Sequence, residues 1–269
     1  MKYKILKYIE KVVPSNIKKI LMRPMISNIL VNQTRSSVSI LIKFLLSKNV
    51  NLSFKQKIQL LKRFNKIRLN VTCAHSFNEL MIPIYHILST PSTISGCIIE
   101  AGSYKGGSTS KLSVVAKLCN RKLYVFDSFE GLPDNDEPIA HTTMGYTKVL
   151  NKGEFCGTLE EVKKNVGMYG EIKMCKFVKG WFEDTMPNFK ENIVAVFCDV
   201  DLLSSTKTCL KFLWPRLINR GFFFSQDAHI PIIKEFFNNK NFWKDELGLD
   251  YAPPFHNITK RFGYFIKEK

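Results

Sequence analysis

The order of apolar and polar positions changes character near Val71. Before it, apolar residues recur at helical spacing among lysines: Ile5, Leu6, Ile9, Val12 and Val13 alternate with Lys2, Lys4, Lys7 and Lys11, and Pro14 ends the pattern. A further turn or two follows from Ser15, Arg35 to Leu46 forms another candidate helix, and Ser53 caps one more. In that last helix Phe54, Ile58, Leu61 and Phe64 share a face, while Lys57, Lys62 and Lys66 lie off it, toward solvent. From Gly96 onward short apolar runs bounded by turn residues alternate with helical stretches, the signature of a parallel sheet covered on both faces. Strands are predicted over Cys97–Glu100, Leu123–Asp127, Met174–Val178, Ile193–Asp199, Gly221–Ser225 and Phe262–Ile266. Helices are predicted over Ser108–Leu118, Thr158–Tyr169, Ser204–Leu217 and Ile232–Phe237. The expected architecture is α/β and Rossmann-like: a seven-stranded, mostly parallel sheet over residues 71–269, its last strand antiparallel, preceded by a basic helical region over 1–70.

Charge sharpens the division. Residues 1–70 hold 16 Lys and Arg against the single acid Glu10, whereas residues 71–269 hold 24 against 22. The basic helices have two readings: a cap packed on the second part or on a second subunit of a homo-oligomer, or, for residues 1–23, a peripheral contact with an anionic membrane. A nucleic-acid arm is disfavoured, because stacking aromatics and Gly/Arg-rich motifs are sparse there. With 45% hydrophobic and 23% charged residues the composition is that of a folded protein. No run reaches the roughly 18 apolar residues of a membrane span. The best candidate, Ser39 to Leu46, is short and interrupted by Lys43. The basic N-terminus lacks an apolar run followed by a cleavage site, so a cytoplasmic location is expected. Seven cysteines form no C-x-x-C pair and sit mostly in apolar runs, which reads as reduced, packed thiols without a zinc site.

Candidate chemistry gathers where strands end. The first strand runs into Glu100-Ala101-Gly102-Ser103-Tyr104-Lys105-Gly106-Gly107-Ser108, a glycine-rich turn opening a helix N-terminus that offers free N–H groups to an anion. Asp127 closes the second strand 25 residues after Gly102, where a ribose-binding acid belongs, but Tyr104 replaces the second glycine of the dinucleotide fingerprint. Glu100, Asp127, Asp199 and Asp227 all fall at carboxyl ends of strands, where open α/β sheets bind ligands. Asp199 and Asp201 alternate along a strand end, so they are expected to point different ways, one to a metal and one to an acceptor. His141, in the polar stretch between Asp134 and Gly157, is a candidate general base on a lid. Ala252-Pro253-Pro254-Phe255 lacks the leading Asn or Asp of a base-methylating motif and reads as a rigid loop.

Four runs carry a family resemblance: the Glu100 to Ser108 turn, Asp127-Ser128-Phe129-Glu130-Gly131-Leu132-Pro133, Lys179-Gly180-Trp181-Phe182 with Asp184, Thr185 and Pro187, and Asp199 with Asp201, Leu202, Ser205 and Thr206. Over roughly Gly96 to Phe237 the chain resembles the macrocin O-methyltransferase (TylF/MycF-like) family. The resemblance implies a class I methyltransferase fold, S-adenosyl-L-methionine as cofactor, a divalent metal, usually magnesium, and methylation of a sugar or glycan hydroxyl. It implies that Glu100 and Gly102 lie beside the methionine part, with Ser103, Tyr104 and Gly106 in the same turn, and that Ser108 meets the carboxylate. Asp127 and Ser128 then serve the ribose, Gly180 and Trp181 border the adenine, and Asp199 lies between cofactor and metal. Asp199 matches the family's first metal acid and Asp201 its base. Where the family usually has two adjacent acids, this chain has Gln226-Asp227-Ala228-His229, leaving Asp227 as a ligand and His229 as a replacement one. Two other functions stand beside sugar O-methylation: an RNA methyltransferase using the basic arm, and a degenerate binding module at a membrane.

Overall fold

The computed structural model describes residues 35–75, 77–137 and 139–268. The helices expected before Pro14 and after Ser15, and the membrane contact expected of residues 1–23, lie outside them.

Three helices come first, α1 (Arg35–Leu46), α2 (Phe54–Asn70) and α3 (Phe77–Ser89). Ser53 caps α2 as expected: its hydroxyl accepts from the Gln56 amide at 3.3 Å, and Gln56 Oε1 accepts from the Ser53 amide at 2.8 Å, satisfying two otherwise orphaned donors. Lys57 departs from expectation. It is buried rather than solvated, because its Nζ donates to the carbonyls of Leu45 and Ser47 at the end of α1, where a helix leaves acceptors unpaired and favours positive charge. Leu41, Phe44, Leu61, Phe64, Leu80 and Ile84 of the three helices share one core with Ile98, Leu112 and Phe197.

The remaining elements are β1 (Cys97–Ala101), α4 (Gly107–Leu118), β2 (Leu123–Asp127), a small hairpin of β3 (Ile139–His141) and β4 (Thr147–Val149), α5 (Leu159–Tyr169), β5 (Cys175–Lys179), α6 (Phe182–Thr185), β6 (Ile193–Cys198), α7 (Leu203–Leu213), β7 (Leu217–Ser225), α8 (Pro231–Phe236), α9 (Lys240–Leu247), β8 (His256–Asn257) and β9 (Gly263–Ile266). The main sheet runs β5-β2-β1-β6-β7-β9-β8. The first five of these strands are parallel; β9 is antiparallel to β7, and β8 to β9. The seventh strand is thus the two-residue β8, hairpinned to the antiparallel terminal strand. β1 and β6 are buried along their whole length, as central strands covered on both faces must be. A second core, around Trp214, Trp243 and Phe265, fills the other face. Chain order reverses between β1 and β6, which opens a crevice at their carboxyl ends. Glu171 ties the helical layer to the sheet domain, since Arg63 of α2 and Lys117 of α4 reach its two carboxylate oxygens at 2.8 and 2.7 Å. Among the described residues no helix is long and apolar enough to cross a membrane.

Candidate active site

The crevice is a cleft of about 420 Å³ at the carboxyl ends of β1, β2, β5 and β6. Its first wall is the turn after β1. Gly102 has φ 85°, and a Cβ there would lie 2.0 Å from the Asp199 carbonyl oxygen. Glycine therefore lets the ends of β1 and β6 meet, with the Asp199 amide donating to the Ala101 carbonyl at 3.0 Å. Asp127 holds the turn from the side. Its Oδ2 accepts from the Ser103 amide at 2.6 Å and the Ser103 hydroxyl at 2.8 Å, and its Oδ1 accepts from the Phe129 amide at 2.7 Å. A carboxylate offers about four lone-pair positions, so these three bonds leave capacity for one ligand hydroxyl. Gly102, Ser103, Tyr104, Ser108, Asp127, Ser128, Gly180 and Trp181 all line this part of the cleft.

Glu100 and Gly106 do not line it. Gly106 caps α4 at φ 81°. Glu100 is wholly buried behind the turn with no hydrogen bond on either carboxylate oxygen, and burial pushes its acid up to about 7 against the nearby Ser108 and Thr109 hydroxyls.

The second wall is acidic. Carboxylate oxygens of Asp199, Asp201 and Asp227 lie within 4.8 Å of one another. Simple strand alternation would have separated Asp199 from Asp201. Instead β6 stops at Cys198, Asp201 takes φ 64°, and the amides of Val200 and Asp201 both donate to Asp227 Oδ2, at 3.0 and 3.1 Å. The chain therefore wraps around Asp227 and returns the Asp201 carboxylate to the cluster. Asp227 Oδ1 is buried without a partner, and burial together with the neighbouring charges of Asp201 and Asp199 raises the Asp227 acid well above the usual range. Three crowded hard oxygen donors, one of them unsatisfied, fit a hard divalent cation.

Three cations from loops and strands surround this cluster. His75 Nε2 lies 2.6 Å from Asp199 Oδ2, and Cys73 Sγ lies 3.3 Å from His75 Nδ1. Burial works against charging either member of the His75–Asp199 pair, but their mutual attraction wins: His75 is raised well above its ordinary value and Asp199 is held down at about 2. Burial likewise opposes ionisation of Cys73, yet the bond to His75 and the charge of Lys111 bring its thiol down to about 6. Lys148 pairs with Asp201 Oδ1, and Arg261 lines the same space. Sequence reasoning missed His75, Cys73, Lys148 and Arg261; the Cys73-x-His75 spacing, which sets both side chains on one side of an extended segment, was the available signal.

The remaining expected residues lie apart. His229 is outside the three-carboxylate group; its ring is fully buried with both nitrogens unpartnered, and burial lowers it to about 4. His141 sits exposed on β3, its Nδ1 3.2 Å from Thr147 Oγ1, and does not line the cleft. Gln226 is wholly buried with neither side-chain polar atom bonded.

Comparison with known proteins agrees with this geometry. A family model described as macrocin-O-methyltransferase (TylF) matches residues 73–253. The 8-demethyl-8-(2,3-dimethoxy-alpha-L-rhamnosyl)-tetracenomycin-C 4'-O-methyltransferase of Streptomyces olivaceus is 31% identical over 147 residues, which cover 53% of this chain and 56% of the relative. The mycinamicin III 3''-O-methyltransferase of Micromonospora griseorubida is 29% identical over 150 residues, covering 53% and 59%. The chain thus spans little more than half the length of these relatives. Among solved structures, the O-methyltransferase NovP superposes with a TM-score of 0.57 at 21% identity, covering 77% of this chain and 80% of that one. The calicheamicin methyltransferase CalS11 gives 0.56 at 17%, covering 91% and 93%. At such identities the two structures establish the shared fold.

Proposed function

The chain belongs to the macrocin-O-methyltransferase (TylF) family, and on that premise we propose that it transfers a methyl group from S-adenosylmethionine to a hydroxyl of a sugar-bearing acceptor, assisted by a divalent cation. The observation that carries this reading is adjacency: one cleft is lined both by Asp127, a carboxylate with room for one more hydrogen bond and suited to a ribose hydroxyl, and by Asp199 and Asp201, two members of the three-carboxylate cluster suited to a cation. The rhamnosyl compound in the name of the Streptomyces relative supports a sugar acceptor.

In this reading Asp127 orients the nucleoside, the tight turn at Gly102 lets the backbone approach it, and the N-terminus of α4 by Ser108 receives the cofactor's carboxylate. Gly180 and Trp181 border the adenine. Asp199, Asp201 and Asp227 would hold the cation, which would supply Lewis acidity toward the acceptor hydroxyl. His75 keeps Asp199 ionised and fixes its orientation. Asp201 takes the hydroxyl proton; burial, resisted by Lys148, raises its acid and makes it a stronger base than a solvated aspartate. Holding acceptor oxygen and methyl donor in line removes much of the entropic barrier.

The test is a transfer assay. The full chain, S-adenosylmethionine, magnesium and a panel of rhamnosides and related deoxysugar glycosides are combined, and products are read by mass spectrometry for a gain of one methyl on a sugar hydroxyl. Methylation of RNA or of amines in place of any glycoside, or failure to bind S-adenosylmethionine, would overturn the reading.

A further inference from the structure

The hairpin β3–β4 delivers one charged side chain into the cleft. Lys148 stands opposite Ala140 in the hairpin register, sends its ammonium onto Asp201 Oδ1, and lies over the Phe155 ring at 4.8 Å from the centroid. The pair is largely withdrawn from water, with side-chain exposures of 16% for Lys148 and 10% for Asp201. Ala140 and Thr142 turn inward, Ala140 packing into the second core, while Ile139, Met144, Tyr146 and Val149 are exposed. Besides the Lys148 pair the hairpin is held by the Thr143 amide on the His229 carbonyl at 2.8 Å and by the Asn135 amide group on the Leu150 carbonyl at 2.9 Å. A buried ion pair is therefore one of a small set of ties between the hairpin and the cleft floor.

The same ammonium occupies the cation's ground. Lys148 Nζ sits on Asp201 Oδ1, one of three carboxylate groups whose oxygens lie within 4.8 Å of one another, so the ammonium and a divalent ion held by the same cluster would be close neighbours. Gln226, a neutral side chain beside Asp227, adds no further negative charge to hold both cations at once. Two positive centres within one cluster of this size repel strongly when water is excluded. We propose that Lys148 is the resident counter-ion of the acid cluster, that a divalent cation must displace it from Asp201, and that this exchange frees the β3–β4 hairpin over the cleft. The inference rests on the cation site proposed above. It makes Lys148 a positioning residue, one that sets cation affinity and couples it to access to the acceptor space.

Manganese(II) binding tests it. The full-length chain and its Lys148→Met and Lys148→Arg variants are titrated with manganese(II) by calorimetry and electron paramagnetic resonance, with S-adenosylhomocysteine binding as the check that each is folded. Methionine keeps the stem over Phe155 and removes the charge. Lys148→Met is expected to bind manganese about tenfold tighter or better, as removal of a close like charge requires, and Lys148→Arg to bind as weakly as the unaltered chain. Chymotrypsin supplies a second readout at Tyr146 in the hairpin turn. Cleavage is expected to quicken on adding manganese to the unaltered chain, and to be fast without metal in Lys148→Met. Manganese affinity unchanged or weakened in Lys148→Met, or cleavage insensitive to both metal and substitution, would overturn the counter-ion role while leaving the cation site standing. If none of the three proteins binds manganese while all bind S-adenosylhomocysteine, the cation site falls and this proposal with it.

Discussion

Asp127 and Asp227 are both carboxylates at the ends of parallel strands, yet their surroundings differ: Asp127 lines one wall of the cleft, whereas Asp227 is wholly buried behind Asp199 and Asp201, which line the other. Asp127 accepts three hydrogen bonds from Ser103 and Phe129, each from a group fixed by the adjoining turn. Asp227 accepts two amides on one oxygen, leaves the other bare, and shares its space with Asp199 and Asp201. A carboxylate satisfied by the backbone is a finished part of a binding surface, ready for a neutral hydroxyl. A carboxylate crowded by like charges and short of partners is stable only with a proton or a cation. On the proposed reading one wall is complete as the chain folds it, and the other is completed by the cation it binds.

This contrast breaks most visibly at Asp199. Asp199→Ala removes a cation donor and strands the His75 charge, so methyl transfer should fall about a hundredfold to a thousandfold, the usual loss on deleting a preorganised electrostatic group. Affinity for S-adenosylhomocysteine, measured by calorimetry on the same variant, should stay near that of the unaltered protein; a parallel loss of both would show that the walls are not separable.

On the other wall the effect is smaller and falls on binding. Asp127→Ala should weaken S-adenosylhomocysteine by about tenfold to a hundredfold, the worth of a charge-assisted hydrogen bond of roughly 1.5–3 kcal/mol, partly through a loosened Ser103 turn. Manganese binding at the acid cluster should be spared.

Glu100, behind the first wall, gives the smallest effect and one with a defined pH window. Burial raises its acid from 4.5 to about 7 in the folded state, so between those values the native chain retains a proton that the unfolded chain has released. Stability is full below about 4.5, declines as pH rises toward 7, and levels off beyond it. Glu100→Gln escapes this decline. Its melting temperature relative to the unaltered chain should rise between pH 5 and pH 8, most steeply below pH 7. A difference independent of pH would place a charged, compensated Glu100 in the core.

The two walls were not equally legible in the sequence. The first is made of local features: Gly102, Ser103 and Asp127 belong to a strand–turn–helix unit whose apolar runs, glycine spacing and acid sit within thirty residues of one another. β2 spans Leu123–Asp127 as its pattern predicts, and the Thr158 cap accepts from the Glu161 amide at 3.2 Å as its position implies. The second wall is assembled from afar. His75 reaches Asp199 across 124 residues of sequence, and Lys148 reaches Asp201 across 53. Neither pairing is marked in the sequence around its aspartate, and the Cys73-x-His75 spacing is the one local hint at the other end. The turn at Asp201 reversed the expectation from strand alternation because a positive φ overrides the period of two. α3 escaped notice because Pro83 lies inside it, and β3 and β4, three residues each with mostly exposed positions, are too short for a periodic signal. Lys57 was misjudged for a related reason: its partners are the carbonyl groups of another helix, which no single-helix pattern reveals.

The central claim, a cofactor wall complete in itself beside an acid wall that needs a cation, is tested most directly by measuring S-adenosylhomocysteine affinity and methyl transfer to a glycoside on one preparation, first in excess chelator and then with magnesium restored. The account predicts an affinity that is the same in both conditions within about twofold, and transfer that vanishes with chelator and returns with magnesium. Undiminished transfer in chelator, or nucleoside binding lost together with the metal, would contradict it.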